Sequence, residues 1–152
     1  MYEFGDGVMK DGAKALPLLK VAADAGQQVA IADLGELYFT GLGVAQDRYQ
    51  GIVWSVKAGE KGAPLALFRL GREYAQGGGL PKDNAKAALY MTVGIQRLQP
   101  GRRNEFQPAL DEVVKQLPKD AAGKAQQSAQ KWMPGDGVLS EVMADAEKQR
   151  GH

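Results

Sequence analysis

The feature that most constrains this chain of 152 residues is a repeat of 36 residues, which continues without a register shift up to residue 94. A period of about 20–50 residues is the sequence mark of solenoid proteins, in which each unit buries its apolar face against the next one. The residues that recur most clearly at intervals of 36 are Tyr2, Tyr38 and Tyr74; Gly5, Gly41 and Gly77; Gly7, Gly43 and Gly79; and Asp11, Asp47 and Asp83. The sequence therefore predicts stacked copies of one small structural unit.

The spacing within a unit is helical. Ala30, Leu34 and Tyr38 lie at i, i+4 and i+8, which places them on one face of a helix, and the pattern returns 36 residues later. Gly41 is predicted to end this helix with a positive φ, and Asp47 to cap the next one. Each unit is thus a helix A, a glycine loop, a helix B and a tight turn.

The predicted helices and segments cover the whole chain as one domain. Helix A is expected at 28–40 and 64–76, helix B at 11–25, 47–61 and 83–97, and further helices at 103–117, 119–133 and 141–150. The repeats occupy residues 1–98 and a C-terminal capping helix pair lies within 99–137. Residues 138–152 form a short helix or a frayed tail. This makes an all-α fold.

The repeated residues resemble the Sel-one-like repeat, a relative of the tetratricopeptide repeat. The residues that carry the resemblance are Ala30, Leu34, Gly35, Tyr38, Gly41, Gly43, Val44, Asp47, Trp54, Ala58 and Gly62, with a second copy from Ala66 to Asp83 and Tyr90. Gly94 stands where the family usually has Ala, which indicates that the regular repeat ends there. The resemblance implies a right-handed α/α superhelix whose concave face is lined by helix A and usually binds a partner.

The composition excludes several kinds of chemistry. There is no Cys, and the one His is His152, so thiol catalysis, a serine triad and most metal sites lack their side chains. The glycine loops lack the spacing of a dinucleotide or phosphate-binding motif. A net charge of +1 argues against nucleic acid as the main partner, and no apolar run is long enough to span a membrane. We therefore expect no enzyme, no cofactor and no metal.

The candidate partner-binding site is the outward stripe of helix A. If Ala30, Leu34 and Tyr38 point into the core, a rotation of about 100° per residue turns other side chains of this helix A outward. The same argument gives a second outward set on the next helix A, 36 residues later. Asp33 would face Arg69 and Glu36 would face Arg72, either as ion pairs between repeats or as a split acidic and basic groove. Glu73 is expected on the solvated surface. The predicted site residues are Asp33, Glu36, Phe39, Thr40, Phe68, Arg69, Arg72 and Gln76, with the two phenylalanines as exposed anchors.

The expected function is protein–protein binding through this concave surface, as a scaffold or adaptor. Bacterial relatives imply an alternative, an immunity protein that neutralises a type VI secreted effector such as a phospholipase. Helix A of the first repeat is missing before Tyr2, so we expect a cut chain, an upstream helix or a removed export signal. The alternative is a natural start that leaves helix 11–25 open on one side. The missing helix favours a bacterial periplasmic protein over a cytoplasmic one. A monomer is expected, with an oligomer through the open first repeat as the alternative.

Overall fold

The computed structural model describes residues 16–42 and 44–150, and throughout these ranges the regular structure is helical. Helix α1 covers the described residues 16–24. It is followed by α2 (Gln28–Thr40), α3 (Arg48–Glu60), α4 (Pro64–Gln76), α5 (Asn84–Gln96), a short 3₁₀ turn (Pro100–Arg102), α6 (Arg103–Lys115), α7 (Lys119–Lys131) and α8 (Ser140–Arg150). Helices α2 and α4 are helix A of the repeat, and α3 and α5 are helix B.

The repeat helices begin and end where the periodic residues predict. Gly41 and Gly77 end α2 and α4 with φ of 72° and 74°, a left-handed conformation that suits glycine because it lacks a Cβ. The Asp47 side chain accepts from the Gln50 N–H at 3.1 Å, and that of Asp83 accepts from the Lys86 N–H at 3.0 Å. Each aspartate therefore precedes its helix as an N-cap. The predicted cap Asp11 lies outside the described residues, as does the proposed gap before Tyr2.

Neighbouring helices approach closely at glycine. A Cβ on Gly71 of α4 would lie 2.7 Å from the Met91 N and 2.9 Å from the Ala87 carbonyl oxygen of α5. Leu34 and Leu70 are fully buried, as their column predicts. Close backbone contact and buried leucines thus hold the A and B helices together.

The C-terminal helices cover the last repeat. Helices α6 and α7 pack on α5 and end two residues before the predicted 117 and 133. They bury an apolar set of Leu110, Val113, Ala125 and Ala129. The end of α5 is therefore shielded by a helix pair that has no counterpart in the repeats.

Helix α8 folds back over the repeats, so residues 140–150 form the helix rather than the frayed tail. Its start lies at the end of α3, where the Glu60 carboxylate accepts from the Leu139 N–H at 3.4 Å. Its last turns lie at the start of α3, where Glu147 accepts from the Tyr49 hydroxyl. Helix α8 is therefore antiparallel to α3. Among the described residues, no helix has the length and apolar character needed to cross a bilayer.

Candidate functional site

The exposed part of the predicted helix-A stripe is polar, because the two phenylalanines predicted as anchors are not on the surface. The expectation that Phe39 and Phe68 face outward is wrong, because each is only 5% exposed. Arg69 is half-buried. The remaining exposed members are Asp33, Glu36, Thr40, Arg72 and Gln76, which we call the helix-A strip.

Phe39 is buried because its ring packs against a glycine of α3, where no side chain stands in the way. A Cβ on Gly51 would lie 2.9 Å from the ring, so the ring occupies the place of that side chain. The Arg69 guanidinium stacks on the ring at 4.6 Å from its centroid. Phe39, predicted as an exposed anchor, is thus a packing contact between α2, α3 and α4.

Phe68 is buried by a second glycine and by the C-terminal helices. A Cβ on Gly94 would lie 2.8 Å from the Phe68 N and 3.1 Å from its Cβ. Phe106 of α6 packs edge-on against the Phe68 ring, with centroids 4.9 Å apart. The departure at Gly94 from the family pattern therefore makes room for Phe68.

The charged residues of the strip pair differently from the prediction. Arg69 donates to Glu36 at 2.6 Å, whereas the predicted pairs were Asp33 with Arg69 and Glu36 with Arg72. Partial loss of hydration at the surface, and then the like charge of the neighbouring Glu36, raise the pKa of the Asp33 carboxyl. The strip therefore presents acidic groups on α2 and the exposed Arg72 on α4, an arrangement suited to polar contacts with a protein.

The expectation that Glu73 is solvated is also wrong, since its side chain is 1% exposed. Arg48 lies 3.3 Å from its carboxylate, which also accepts from the Gly79 N–H at 3.0 Å. A Cβ on Gly78 would lie only 2.6 Å from the Arg48 Nη1. The side-chain-free glycine loop after α4 thus admits an ion pair between the buried Glu73 and the half-exposed Arg48, a role that the periodic pattern does not signal.

A second surface lies between the two B helices, and we call it the helix-B groove. It is lined by Tyr49 of α3, Tyr74 of α4, and Lys86 and Tyr90 of α5. Tyr74 and Tyr90 stack with ring centroids 5.9 Å apart. Helix α8 fills this groove.

Carboxylates of α8 bind the tyrosine hydroxyls of the groove. Tyr74 donates to Asp145 at 2.6 Å and Tyr90 donates to Glu141 at 2.6 Å. Tyr49 donates to Glu147. Burial and these carboxylates raise the pKa of Tyr74 and Tyr90 well above the usual value of 10.0. Both hydroxyls therefore remain protonated donors at neutral pH.

Lys86 completes the polar contact with α8. Its ammonium donates to Asp145 at 2.7 Å. Burial alone would raise the pKa of the Asp145 carboxyl, but the bonds from Lys86 and Tyr74 outweigh it and hold this pKa below 3.8. The hydrogen bond to Asp145 raises the pKa of Lys86 in turn. Asp145 is thus a charged centre of the contact.

The apolar side of α8 is narrow. Leu139, which directly precedes α8, and Val142 and Ala146 within it are buried at i, i+3 and i+7. A Cβ on Gly59 of α3 would lie 2.9 Å from the Leu139 Cδ1, so this glycine makes room for the leucine. The groove accepts a helix with one thin apolar stripe beside a row of carboxylates.

The sequence did not single out this groove. Tyr74 and Tyr90 stand out in the sequence only as residues of the repeat pattern, and residues 138–152 are predicted as a short helix or a frayed tail. The available signal was the spacing of Glu141 and Asp145, which places both carboxylates on one helix face. Within residues 16–42 and 44–150, no cluster of three or more His, Cys, Asp or Glu could hold a metal ion.

Paired A and B helices, closed by a C-terminal helix pair, define an α/α repeat protein, and the predicted all-α fold is confirmed. The family model of the Sel1 repeat matches residues 1–27, 28–62 and 64–92. The chain belongs to the Sel1 repeat family, whose repeats generally mediate protein–protein interaction and form a scaffold that is not typically catalytic.

A solved structure shows the same fold. It is the crystal structure of a protective antigen present in uropathogenic Escherichia coli strains, which displays an SLR fold. The two chains are 24% identical with a TM-score of 0.69. The match covers 91% of this chain and 28% of the antigen, so this chain spans less than a third of that protein. A search of curated proteins finds no match.

Proposed function

We propose that this protein is a non-catalytic adaptor that binds a protein partner through the helix-A strip. The carrying observation is the difference between the two faces of the repeats. The helix-B groove is filled by α8, whereas Asp33, Glu36 and Arg72 are exposed on the helix-A side. The family's general role in protein interaction supports the proposal.

The chemistry of the strip favours an adaptor over the immunity alternative. Very tight complexes depend on a few well-desolvated anchors, often aromatic or arginine side chains. Both phenylalanines are buried in the core and are therefore not available on the strip. The exposed ion pairs that remain contribute only about 0–1 kcal/mol each. Moderate binding to charged peptide segments therefore suits this surface. A type VI effector such as a phospholipase is the partner expected under the alternative.

The test is a pull-down from lysate of the source bacterium, followed by affinity measurements on the partners found. The variant Glu36→Ala with Arg72→Ala is expected to weaken binding at least tenfold and to leave the denaturation midpoint nearly unchanged. The matched control is Asp120→Ala with Lys124→Ala, an exposed pair of opposite charges on α7. Unchanged binding by the strip variant would remove this surface as the site.

The identity of the partner separates the two functions. Several partners with micromolar affinity would support the adaptor. One stoichiometric toxin, bound at nanomolar affinity or tighter, would support the immunity protein instead. The expected compartment is the bacterial periplasm and the expected state is a monomer; cell fractionation and sedimentation test these two expectations.

A further inference from the structure

Helix α8 buries far fewer of its own residues than the helices it covers. Only Val142 and Ala146 are buried among its eleven residues, whereas α5 buries seven of its thirteen. Segments with few buried apolar side chains open at a lower free energy than the rest of a fold. Helix α8 can therefore leave the groove while α3, α4 and α5 stay packed on one another.

The specificity of the groove lies in its donors. Three tyrosine hydroxyls and the Lys86 ammonium all meet carboxylates of α8. Glu141 and Asp145 lie four residues apart and therefore on one face of the helix. An acidic helix is bound in this groove by hydrogen bonds that an uncharged helix could not accept in the same way.

The groove also has space that α8 does not use. An open cavity of about 170 Å³ lies at its end, lined by Arg48, Tyr49 and the loop at Gly78 and Gly79, and by Ala146, Gln149 and Arg150 of α8 itself. Because residue 146 is only an alanine, a longer apolar side chain at this position would bury more surface. Another helix can therefore fit the groove better than α8 does.

We propose that the helix-B groove is a second binding site, which takes an acidic amphipathic helix of another protein, and that α8 occupies it in cis until that helix displaces it. The partner helix carries apolar residues at i, i+3 and i+7 in place of Leu139, Val142 and Ala146. It carries carboxylates in place of Glu141 and Asp145. This goes beyond the adaptor function, because it concerns a different surface.

A partner helix is favoured over a second copy of this chain. An identical α8 from another copy would make the same contacts and gain nothing from the unused cavity. It would also compete with a tethered helix whose effective concentration is on the order of millimolar for a short linker. Only a helix with better contacts can overcome this competition at lower concentration.

The first experiment measures binding of a fluorescent peptide that has the sequence of residues 137–150 with the change Ala146→Leu. The full chain carrying Glu141→Gln and Asp145→Asn is expected to bind it at least tenfold more tightly than the wild-type chain, because its own α8 is weakened. The control chain carries Glu105→Gln and Glu112→Gln, at exposed carboxylates of α6. A peptide that also carries both amide changes should bind at least tenfold more weakly.

Several outcomes would overturn the proposal. These are equal peptide affinity for the wild-type and weakened chains, no binding to the weakened chain, or binding that is insensitive to the peptide carboxylates. A wild-type chain that dimerises on concentration by exchanging α8 would make a second copy the occupant and would also overturn it. None of these results depends on the helix-A strip, so the adaptor proposal is tested separately.

The second experiment needs no variant. Hydrogen exchange on the wild-type chain should show amides of α8 exchanging at least tenfold faster than those of α4 and α5. Equal protection would mean that α8 leaves only when the whole protein unfolds, and displacement in the folded state would be excluded.

Discussion

The contact between α4 and α5 and the contact between α8 and the helix-B groove are built in different ways. In the first, Gly71 lets two backbones meet and fully buried side chains fill the remaining space. In the second, a thin apolar stripe is combined with hydrogen bonds from tyrosines to carboxylates. The difference leads us to expect that substitutions in the repeat packing affect folding most, whereas the proposed exchange of α8 would break mainly hydrogen bonds at the surface.

The largest expected effect is on the repeat core. Leu70→Ala should lower the free energy of unfolding by about 2–5 kcal/mol, because it leaves a cavity at a fully buried position. Leu65→Ala is the matched control on the same helix, where the leucine is 45% exposed, and should cost less than about 1 kcal/mol. Chemical denaturation measures both. Equal losses would show that the core face of α4 is wrongly assigned.

The second prediction tests the close contact between the backbones of α4 and α5 at Gly71. Gly71→Ala should destabilise by about 1–3 kcal/mol, because its Cβ would collide with backbone atoms of Met91 and Ala87. Gly123→Ala in α7 has nothing within 4 Å and should stabilise by up to about 1 kcal/mol, through helix propensity alone. Opposite signs in thermal or chemical melts are the expected result. A neutral Gly71→Ala would mean that the helices can separate slightly at no cost.

The repeat helices could be predicted well, because the repeat period and the capping residues indicate the same helix starts and ends. Asp47 and Asp83 mark the starts of α3 and α5, and Gly41 and Gly77 mark the ends of α2 and α4. These residues act locally, through backbone N–H groups and φ angles, so their effect can be deduced without knowing the neighbours. For α2 to α8 the predicted boundaries therefore lie within two residues of the observed ones, while the predicted start of the first helix lies outside the described residues.

The exposed surface was harder to predict, because it depends on what packs from other elements. A helical wheel places Phe39 outward, but Gly51 on the next helix leaves room for its ring. Phe68 is covered by Gly94 and by Phe106, which follows the repeats. The glycines were visible in the sequence, yet their partners could be assigned only in three dimensions.

The third prediction concerns the charge at the α8 contact. Asp145→Asn should weaken α8 docking by about 1–2 kcal/mol at neutral pH, since Lys86 and Tyr74 lose a charged acceptor. The folded-state pKa of Asp145 lies below 3.8, so its contribution is present above that pH and is lost as pH falls through the folded value. Hydrogen exchange of α8, measured between about pH 7 and pH 3, checks this.

The wild-type and Asp145→Asn proteins should therefore become alike in acid. Their difference in α8 protection should be largest near neutrality and should shrink below about pH 4. A difference that stays constant with pH would mean that the substitution acts through helix packing and not through the carboxylate charge. Glu112→Gln, at an exposed carboxylate of α6, should show no such pH-dependent difference from wild type.

The smallest expected effect is at the ion pair of the helix-A strip. Glu36→Ala should change the free energy of unfolding by less than about 1 kcal/mol, although Arg69 lies only 2.6 Å from Glu36. The guanidinium keeps its stacking on the Phe39 ring, and the Glu36 side chain is 57% exposed, so solvent replaces the lost contact. Chemical denaturation at low and moderate salt measures the effect. A loss above about 2 kcal/mol would show that the strip stabilises the repeats, which would make it a poor candidate for a free binding surface.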